Sequence, residues 1–299
     1  MIFIGMVCVA LIVTLAMNDL INVMLVRSSK SSNVYKMERL VYGENLDSEV
    51  AIIGNSRAQN HFLPSEISSN AFNYGVAGAG WRDVLFHLKC LLKRKDSTIV
   101  ICNLDPNGLT WGSVRGDYRF VSGSDAYKTE LGMKHFSLKD RIPGLRFFGA
   151  LRGNIEESEI MNIGGGKFFD NGAIVLKGAK RSLDEWSRLA RRLSTIDFVC
   201  DPAVKGRLFE LLETNKNHHE VVFVVSPLSS FWTEKYLGNE AFTRFFKELD
   251  KLPHVNVLDY RNAGFSLEDF NDILHLNIEG ASKFSKLVRD DIRCMGLKL

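Results

Sequence analysis

The stretch Glu49-Val-Ala-Ile-Ile-Gly-Asn-Ser-Arg57 decides the fold of this chain. Residues 49–53 are mostly apolar and β-branched, which is typical of a short buried strand, and Gly54 ends that strand. Ser56 follows at the turn into a helix, which we expect to run from about Pro64. In open α/β sheets, ligands bind at the carboxyl ends of the strands, so Ser56 stands where a ligand would bind.

A second motif, Asp272-Ile-Leu-His275, lies shortly before a predicted C-terminal helix. Together the two motifs supply Ser56, His275 and Asp272, the three groups needed for acyl transfer through a covalent intermediate. An imidazole activates a serine hydroxyl by accepting its proton, and a carboxylate on the other ring nitrogen fixes the tautomer. The alternative is that Ser56 only caps a turn and that Asp272 and His275 lie in a surface loop.

The segment Asn73-Tyr-Gly-Val-Ala-Gly78 predicts the end of a second strand and a glycine-rich turn. Glycine allows backbone N–H groups to approach a ligand closely, so the N–H of Gly75 is a candidate donor to a tetrahedral oxyanion beside Ser56. The alternative is an ordinary strand-to-helix turn. The GxGxxG spacing of dinucleotide sites is missing, and the sequence predicts no cofactor.

A third apolar run, Thr98–Cys102, predicts a strand that delivers polar residues to the same sheet edge. We expect the side-chain amide of Asn103 to be the second oxyanion donor, with Asp105 and Asn107 as the other candidates. Asp105-Pro-Asn-Gly108 also has the residue types of a simple polar turn, which is the alternative reading.

The later sequence alternates between helical and strand patterns. Helices are predicted at 202–212 and 240–249, strands at 221–225 and 255–259, and a final amphipathic helix carries Ala281, Phe284 and Val288 at helical spacing. This rhythm predicts an α/β fold, a doubly wound and mainly parallel sheet with helices on both faces. Residues 109–194 break the rhythm and are expected to form an insertion that shapes the substrate pocket.

These blocks resemble the SGNH (GDSL-like) hydrolases, whose motifs are Gly-Asp-Ser after the first strand, Asn-x-Gly-x-x-Gly, an asparagine after the third strand and Asp-x-x-His. The corresponding residues here are Gly54 to Ser56, Asn73 to Gly78, Asn103 or a neighbour, and Asp272 to His275. The resemblance covers roughly residues 48–292 and implies a flavodoxin-like three-layer sandwich. Two departures are Asn55 in place of the usual aspartate and the lack of a clean Gly-x-Asn-Asp third block.

The resemblance also implies a function. The tail from Asp272 to Ala281 is similar to a branch found among bacterial envelope proteins, including relatives of alginate acetylation proteins and of proteins that D-alanylate teichoic acids. We therefore expect a serine esterase or O-acyltransferase that acts on an acyl group, above all acetyl, of an envelope polysaccharide or carrier. A multi-spanning acyltransferase is the expected partner. The alternative is a non-catalytic SGNH-like subunit that binds a glycan or an assembly partner.

Composition is that of a folded domain: 299 residues are 45% hydrophobic and 24% charged. A net charge of +3 is too small to predict a nucleic-acid partner. The five cysteines are scattered, with no CxxC and no Cys/His cluster at metal-binding spacing, so no metal site is predicted.

The N-terminus is strongly apolar from Ile2 to Met17. We expect residues 1–26 to be a transmembrane anchor or an uncleaved signal, residues 27–47 a tether, and residues 48–299 the SGNH-like domain. The basic residues all follow the apolar run, which by the positive-inside rule places the domain in the cytoplasm. The family resemblance favours the opposite topology, with a periplasmic or extracellular domain.

Overall fold

The computed structural model describes residues 5–14, 16–17, 20, 30–43, 49–106, 108–110, 166–178, 182–191, 197–215, 219–234, 236 and 239–299. Asn107, one of the candidate oxyanion residues, and residues 111–165, most of the expected insertion, lie outside these ranges.

The described strands are, in chain order, β1 (Val50–Ile53), β2 (Ala71–Asn73), β3 (Ile99–Asn103), β4 (Gly108–Leu109), β5 (Lys167–Asp170), β6 (Ala173–Leu176), β7 (Val199–Cys200), β8 (Glu220–Val225) and β9 (Val255–Asp259). Five of them form a parallel sheet in the order β2-β1-β3-β8-β9. The chain runs from β1 outward to β2 and then returns to the other side of β1. The strand order therefore reverses between β1 and β3, where the crevice of a doubly wound sheet opens.

From Asn33 onward the described α-helices are α1 (Asn33–Tyr42), α2 (Ser56–His61), α3 (Pro64–Ile67), α4 (Trp81–Leu92), α5 (Leu183–Ala190), α6 (Pro202–Glu213), α7 (Ser230–Thr233), α8 (Asn239–Leu249) and α9 (Ile278–Cys294). The helix expected from about Pro64 is present as the short α3. A separate helix that was not expected, α2, precedes it and begins at Ser56, where Asn55 caps it by accepting a hydrogen bond from the Arg57 N–H.

The core has two layers because side chains alternate across the sheet. Ala51 and Ile53 of β1 pack on one face with α1, α4, α6 and α8. Val50 and Ile52 pack on the other face with α2, α3 and α9. A mainly parallel sheet with helices on both faces is the α/β architecture predicted from the sequence.

The antiparallel hairpin of β5 and β6 was not predicted. Its turn is Asn171-Gly172, and both residues have positive φ, 37° and 90°. This is the conformation that a two-residue hairpin turn requires, and Asn-Gly is its strongest sequence signal. The Asn171 carbonyl accepts from the Asn73 N–H, so the hairpin lies against the outer edge of β2.

The N-terminal residues 5–14 are helical, and their apolar side chains, including Met6, Val9 and Ile12, are exposed. Within the described parts of the chain, no helix is both long and apolar enough to cross a membrane.

Candidate active site

Ser56 is placed at the crevice by a sharp turn after β1. Gly54 adopts a φ of +143°, and a Cβ there would lie 2.8 Å from Ala58 Cβ and 3.1 Å from Asn103 Cβ. Only glycine fits this turn, because both its conformation and its close packing exclude a side chain. Ser56 then occupies the first position of α2, where the backbone N–H has no intrahelical acceptor.

The loop before α9 folds back on itself around Asp272. Its Oδ1 accepts hydrogen bonds from the backbone N–H groups of Leu274, at 2.8 Å, and His275, at 2.9 Å. These local bonds explain why an Asp three residues before a His suffices to place carboxylate and imidazole together. The His275 Nδ1 lies 3.1 Å from Oδ1 and 3.0 Å from Oδ2 of Asp272.

The structure brings Ser56, His275 and Asp272 into one hydrogen-bonded chain. Ser56 Oγ lies 3.0 Å from His275 Nε2. An ionised carboxylate can only accept, so the proton of a neutral His275 sits on Nδ1 and points to Asp272. The lone pair of Nε2 is then free to accept from the Ser56 hydroxyl, which is the arrangement that a general base needs.

The electrostatics of the loop keep Asp272 ionised. Burial, the largest effect, pushes the pKa of Asp272 upward. The hydrogen bonds and charge of His275, together with the backbone N–H groups of Leu274 and His275, outweigh it and hold the pKa below its ordinary value.

Asn103 is the residue expected from the sequence to be the second oxyanion donor. It ends β3 beside Gly54 and is only 3% exposed. Its Oδ1 accepts from the Ser226 hydroxyl at 2.7 Å. Among the described residues, its Nδ2 has no acceptor, and this atom is closed to solvent.

Gly75 departs from the expectation. Its N–H donates to Asn73 Oδ1 at 2.8 Å, so the hydrogen bond expected for an oxyanion is already used. Its visible role is steric, since a Cβ would lie 2.6 Å from the Gln59 nitrogen and 2.8 Å from Ala58 Cβ. Asp105 also differs from an oxyanion donor, because its carboxylate accepts from the Asn55 amide at 2.6 Å.

His61 was missed by the sequence reasoning. It is fully buried, and its Nε2 lies 3.1 Å from the Leu274 carbonyl oxygen and 3.2 Å from the Leu276 nitrogen. Burial, reinforced by the charges of Arg57 and His275, holds the pKa of His61 well below its usual range. A neutral His61 therefore ties helix α2, which begins at Ser56, to the loop that carries His275.

Arg57 was also missed, since nothing in the pattern around it predicts a buried charge. It is 2% exposed, and its Nη2 donates to the carbonyl oxygens of Ser226, at 2.9 Å, and Pro227, at 2.8 Å. Its guanidinium stacks 4.6 Å above the ring of Trp232. Burial lowers its pKa to about 10, against the opposing influence of the carboxylates of Asp105 and Asp272.

The described residues contain no group of three or more His, Cys, Asp or Glu side chains that could hold a metal ion.

No protein-family model matches the chain. No curated protein matches it either. A solved structure described as that of "a putative platelet activating factor from Streptococcus pneumonia" is similar at a TM-score of 0.44 and 12% sequence identity. The match covers 91% of this chain and 96% of that one.

Proposed function

We propose that this chain is a serine esterase or O-acyltransferase with Ser56 as nucleophile, His275 as general base and Asp272 as the group that orients it. One observation carries the proposal: the unbroken chain of contacts from Asp272 to His275 Nδ1 and from His275 Nε2 to Ser56 Oγ. Nucleophile, base and orienting carboxylate in this geometry define the serine hydrolase arrangement independently of sequence order.

The chemistry follows from the positions of the protons. Ser56 Oγ attacks the acyl carbon while its proton passes to His275 Nε2, and the carbonyl oxygen becomes an oxyanion. The N–H of Ser56 and the Nδ2 of Asn103 are the donors proposed to stabilise it. The intermediate collapses by breaking the ester C–O bond, and Nε2 returns the proton to the departing alcohol. Water or a sugar hydroxyl then attacks the acyl-serine and gives its proton to Nε2. This second intermediate collapses by breaking the bond between the acyl carbon and Ser56 Oγ, and Nε2 returns the proton to Oγ.

The proposed substrate is an acyl, above all acetyl, group of an envelope polysaccharide or carrier, as the resemblance to SGNH envelope proteins implies. The proposed location is the membrane, with the domain outside the cytoplasm and a multi-spanning acyltransferase as partner. Exposed apolar side chains on residues 5–14 support membrane association. A phosphatase fused after Leu299, active only outside the cytoplasm, tests this orientation.

One observation favours the alternative, a non-catalytic subunit that binds a glycan or an assembly partner. The Gly75 N–H is already bonded to Asn73, so one expected oxyanion donor is lost. Each such donor is worth about 10²–10³ in kcat. A chain with a triad but an incomplete oxyanion site would turn over an acylated glycan about 10²–10³-fold more slowly, which suits binding better than catalysis.

Labelling with a fluorophosphonate separates the two functions. The esterase hypothesis expects the probe on Ser56, identified by mass spectrometry of the labelled peptide. Ser56→Ala and His275→Asn should both abolish labelling. His254→Asn is the matched control, because His254 pairs with Glu220 at the far end of β8 and should leave labelling intact. Absence of wild-type labelling would favour the binding subunit.

A further inference from the structure

Arg57 is a buried cation that the proposed mechanism does not use. No carboxylate among the described residues forms an ion pair with it, and its Nη1 has no acceptor there. Burying a charge without a carboxylate in direct contact is costly even with Asp105 and Asp272 acting from a distance, so the position needs another reason. The reason lies in what Arg57 contacts: besides two carbonyl oxygens, its Nε and Nη2 reach the hydroxyl oxygen of Ser226 at 3.4 and 3.3 Å.

Ser226 connects Arg57 to Asn103 through hydrogen bonds. The direction of each bond follows from which of the two groups can donate a proton. A guanidinium has only donors, so the Ser226 oxygen must accept from Arg57. The hydroxyl proton of Ser226 is then free for Asn103, 2.7 Å away, and it needs an acceptor. Of the two ends of the amide, only Oδ1 can accept, so Nδ2 must be the end that is left over.

We propose that Arg57 and Ser226 are positioning residues that hold the Asn103 amide in the one orientation in which Nδ2 donates to the oxyanion. This inference rests on the proposed function. The opposite orientation would aim a carbonyl oxygen at the developing negative charge and would lose the 2.7 Å hydrogen bond that the Ser226 hydroxyl donates to Oδ1. The oxygen of a bound acyl group would supply the acceptor that Nδ2 lacks.

The arrangement also links two parts of the site. Arg57 follows the nucleophile in sequence, and its guanidinium is held by the loop after β8. Ser226 and Asn103 lie at the carboxyl ends of the neighbouring strands β8 and β3. The same contacts that hold the start of α2 therefore set the donor beside it.

Substitution of Ser226 by threonine and by valine tests the proposal, because both add the same volume and only threonine keeps the hydroxyl. With a short-chain ester as substrate, Ser226→Thr should retain a kcat close to that of the wild type. Ser226→Val should lower kcat by about 10²–10³-fold with little change in KM, as expected for loss of one oxyanion donor. Matching near-ultraviolet circular dichroism and Tm would show that both variants fold.

If valine prevents folding, Ser226→Ala removes the same hydroxyl without adding volume and should give the same loss of kcat. The decisive comparison uses Asn103→Ala as background. Since Ser226 acts through Asn103, Ser226→Val should cost almost nothing further in Asn103→Ala protein, and additive losses would overturn the proposal.

The outcomes separate this inference from the proposed function. If Ser56→Ala abolishes hydrolysis while Ser226→Thr and Ser226→Val have equal kcat, the proposed triad is supported and the proposed role of Ser226 is wrong. If Ser56→Ala leaves hydrolysis unchanged, or the wild type neither hydrolyses esters nor reacts with the fluorophosphonate, both the proposed esterase function and the positioning role of Ser226 are wrong.

Discussion

The side-chain amide of Asn55 donates a hydrogen bond to Oδ2 of Asp105 across 2.6 Å. This bond joins the turn after β1 to the turn after β3, on the two sides of the crevice. The other end of the same amide caps α2 through the Arg57 N–H. An aspartate at position 55 would set two carboxylates against each other here, so Asp105 gives a physical reason for asparagine at this position.

Asn55→Asp should therefore destabilise the protein by about 1–3 kcal/mol at neutral pH, since it replaces a hydrogen bond with like-charge repulsion. The loss should shrink in acid, where one of the two carboxylates takes up a proton. Urea unfolding at pH 7 and pH 4 measures both effects.

The double variant Asn55→Asp with Asp105→Asn is the matched control. It restores one amide and one carboxylate with the roles exchanged, so it should recover most of the stability lost in Asn55→Asp. Equal stability of the single and double variants would contradict the coupling.

Asp272→Asn should lower kcat by about 10⁴-fold, because an amide can present its N–H to Nδ1 and favour the wrong tautomer of His275. The rate of ester hydrolysis measures the loss of kcat. The exposed carboxylate of Asp290 on α9 provides the control variant Asp290→Asn.

The pKa of Asp272 is lowered by folding. Its ionised form therefore stabilises the fold fully above an unfolded-state pKa near 3.8, and that contribution disappears as the pH falls through the folded value. Asp272→Asn should lack this acid dependence.

The fold should lose stability between pH 7 and pH 5 because of His87. Burial, reinforced by the charge of Lys36, lowers the pKa of His87 to about 3. The folded state keeps the ring neutral, whereas the unfolded chain binds a proton below its ordinary pKa of 6.5. Stability is thus fully present above pH 6.5 and falls towards pH 3, by about 2 kcal/mol between pH 7 and 5. Urea unfolding of His87→Gln at both pH values should show a weaker dependence, and an unchanged one would count against this cause.

Gly75→Ala should destabilise the fold by about 1–3 kcal/mol and slow the ester hydrolysis proposed for this site, since the new Cβ would press on the backbone of α2 at Gln59. Gly206→Ala is the comparison. Nothing lies within 4 Å of a Cβ at Gly206 in α6, so this change should stabilise the helix by up to about 1 kcal/mol. Thermal unfolding distinguishes them, and similar Tm shifts would show that the space at Gly75 is unimportant.

The sequence was most informative where a property depends on neighbouring residues. Apolar runs such as 221–225 predicted parallel strands correctly, because strands buried on both faces leave little room for polar side chains. The spacing of Asp272 and His275 predicted a contact that local backbone bonds create. The Asn-x-Gly pattern at Asn73 carried a local signal too, since an Asn side chain often binds the backbone two residues on. That signal predicts the hydrogen bond that the Gly75 N–H donates to Asn73 Oδ1.

Distant partners explain what the sequence did not reveal. The reason for burying Arg57 lies 169 positions away at Ser226, and His61 contacts Leu274 from 213 positions away. No periodicity or propensity encodes such pairs. The hairpin of β5 and β6 was signalled by Asn171-Gly172, but it sits in a region whose irregular pattern favoured an insertion.

Removal of residues 1–26 should abolish the proposed membrane association and leave a protein that is soluble without detergent. Residues 5–14 are helical, and their side chains Val9, Leu11 and Ile12 are all more than half exposed to solvent. At about 25 cal/mol per Å² of apolar surface, such a helix gains strongly by entering lipid. Full-length protein should float with liposomes in a density gradient, whereas the truncated protein should stay at the bottom with an unchanged Tm and unchanged labelling of Ser56. The double substitution Val9→Lys and Ile12→Lys should weaken flotation in the full-length chain. A truncated protein that aggregates, beside a full-length protein that is soluble on its own, would mean that the segment belongs to the fold and not to the membrane.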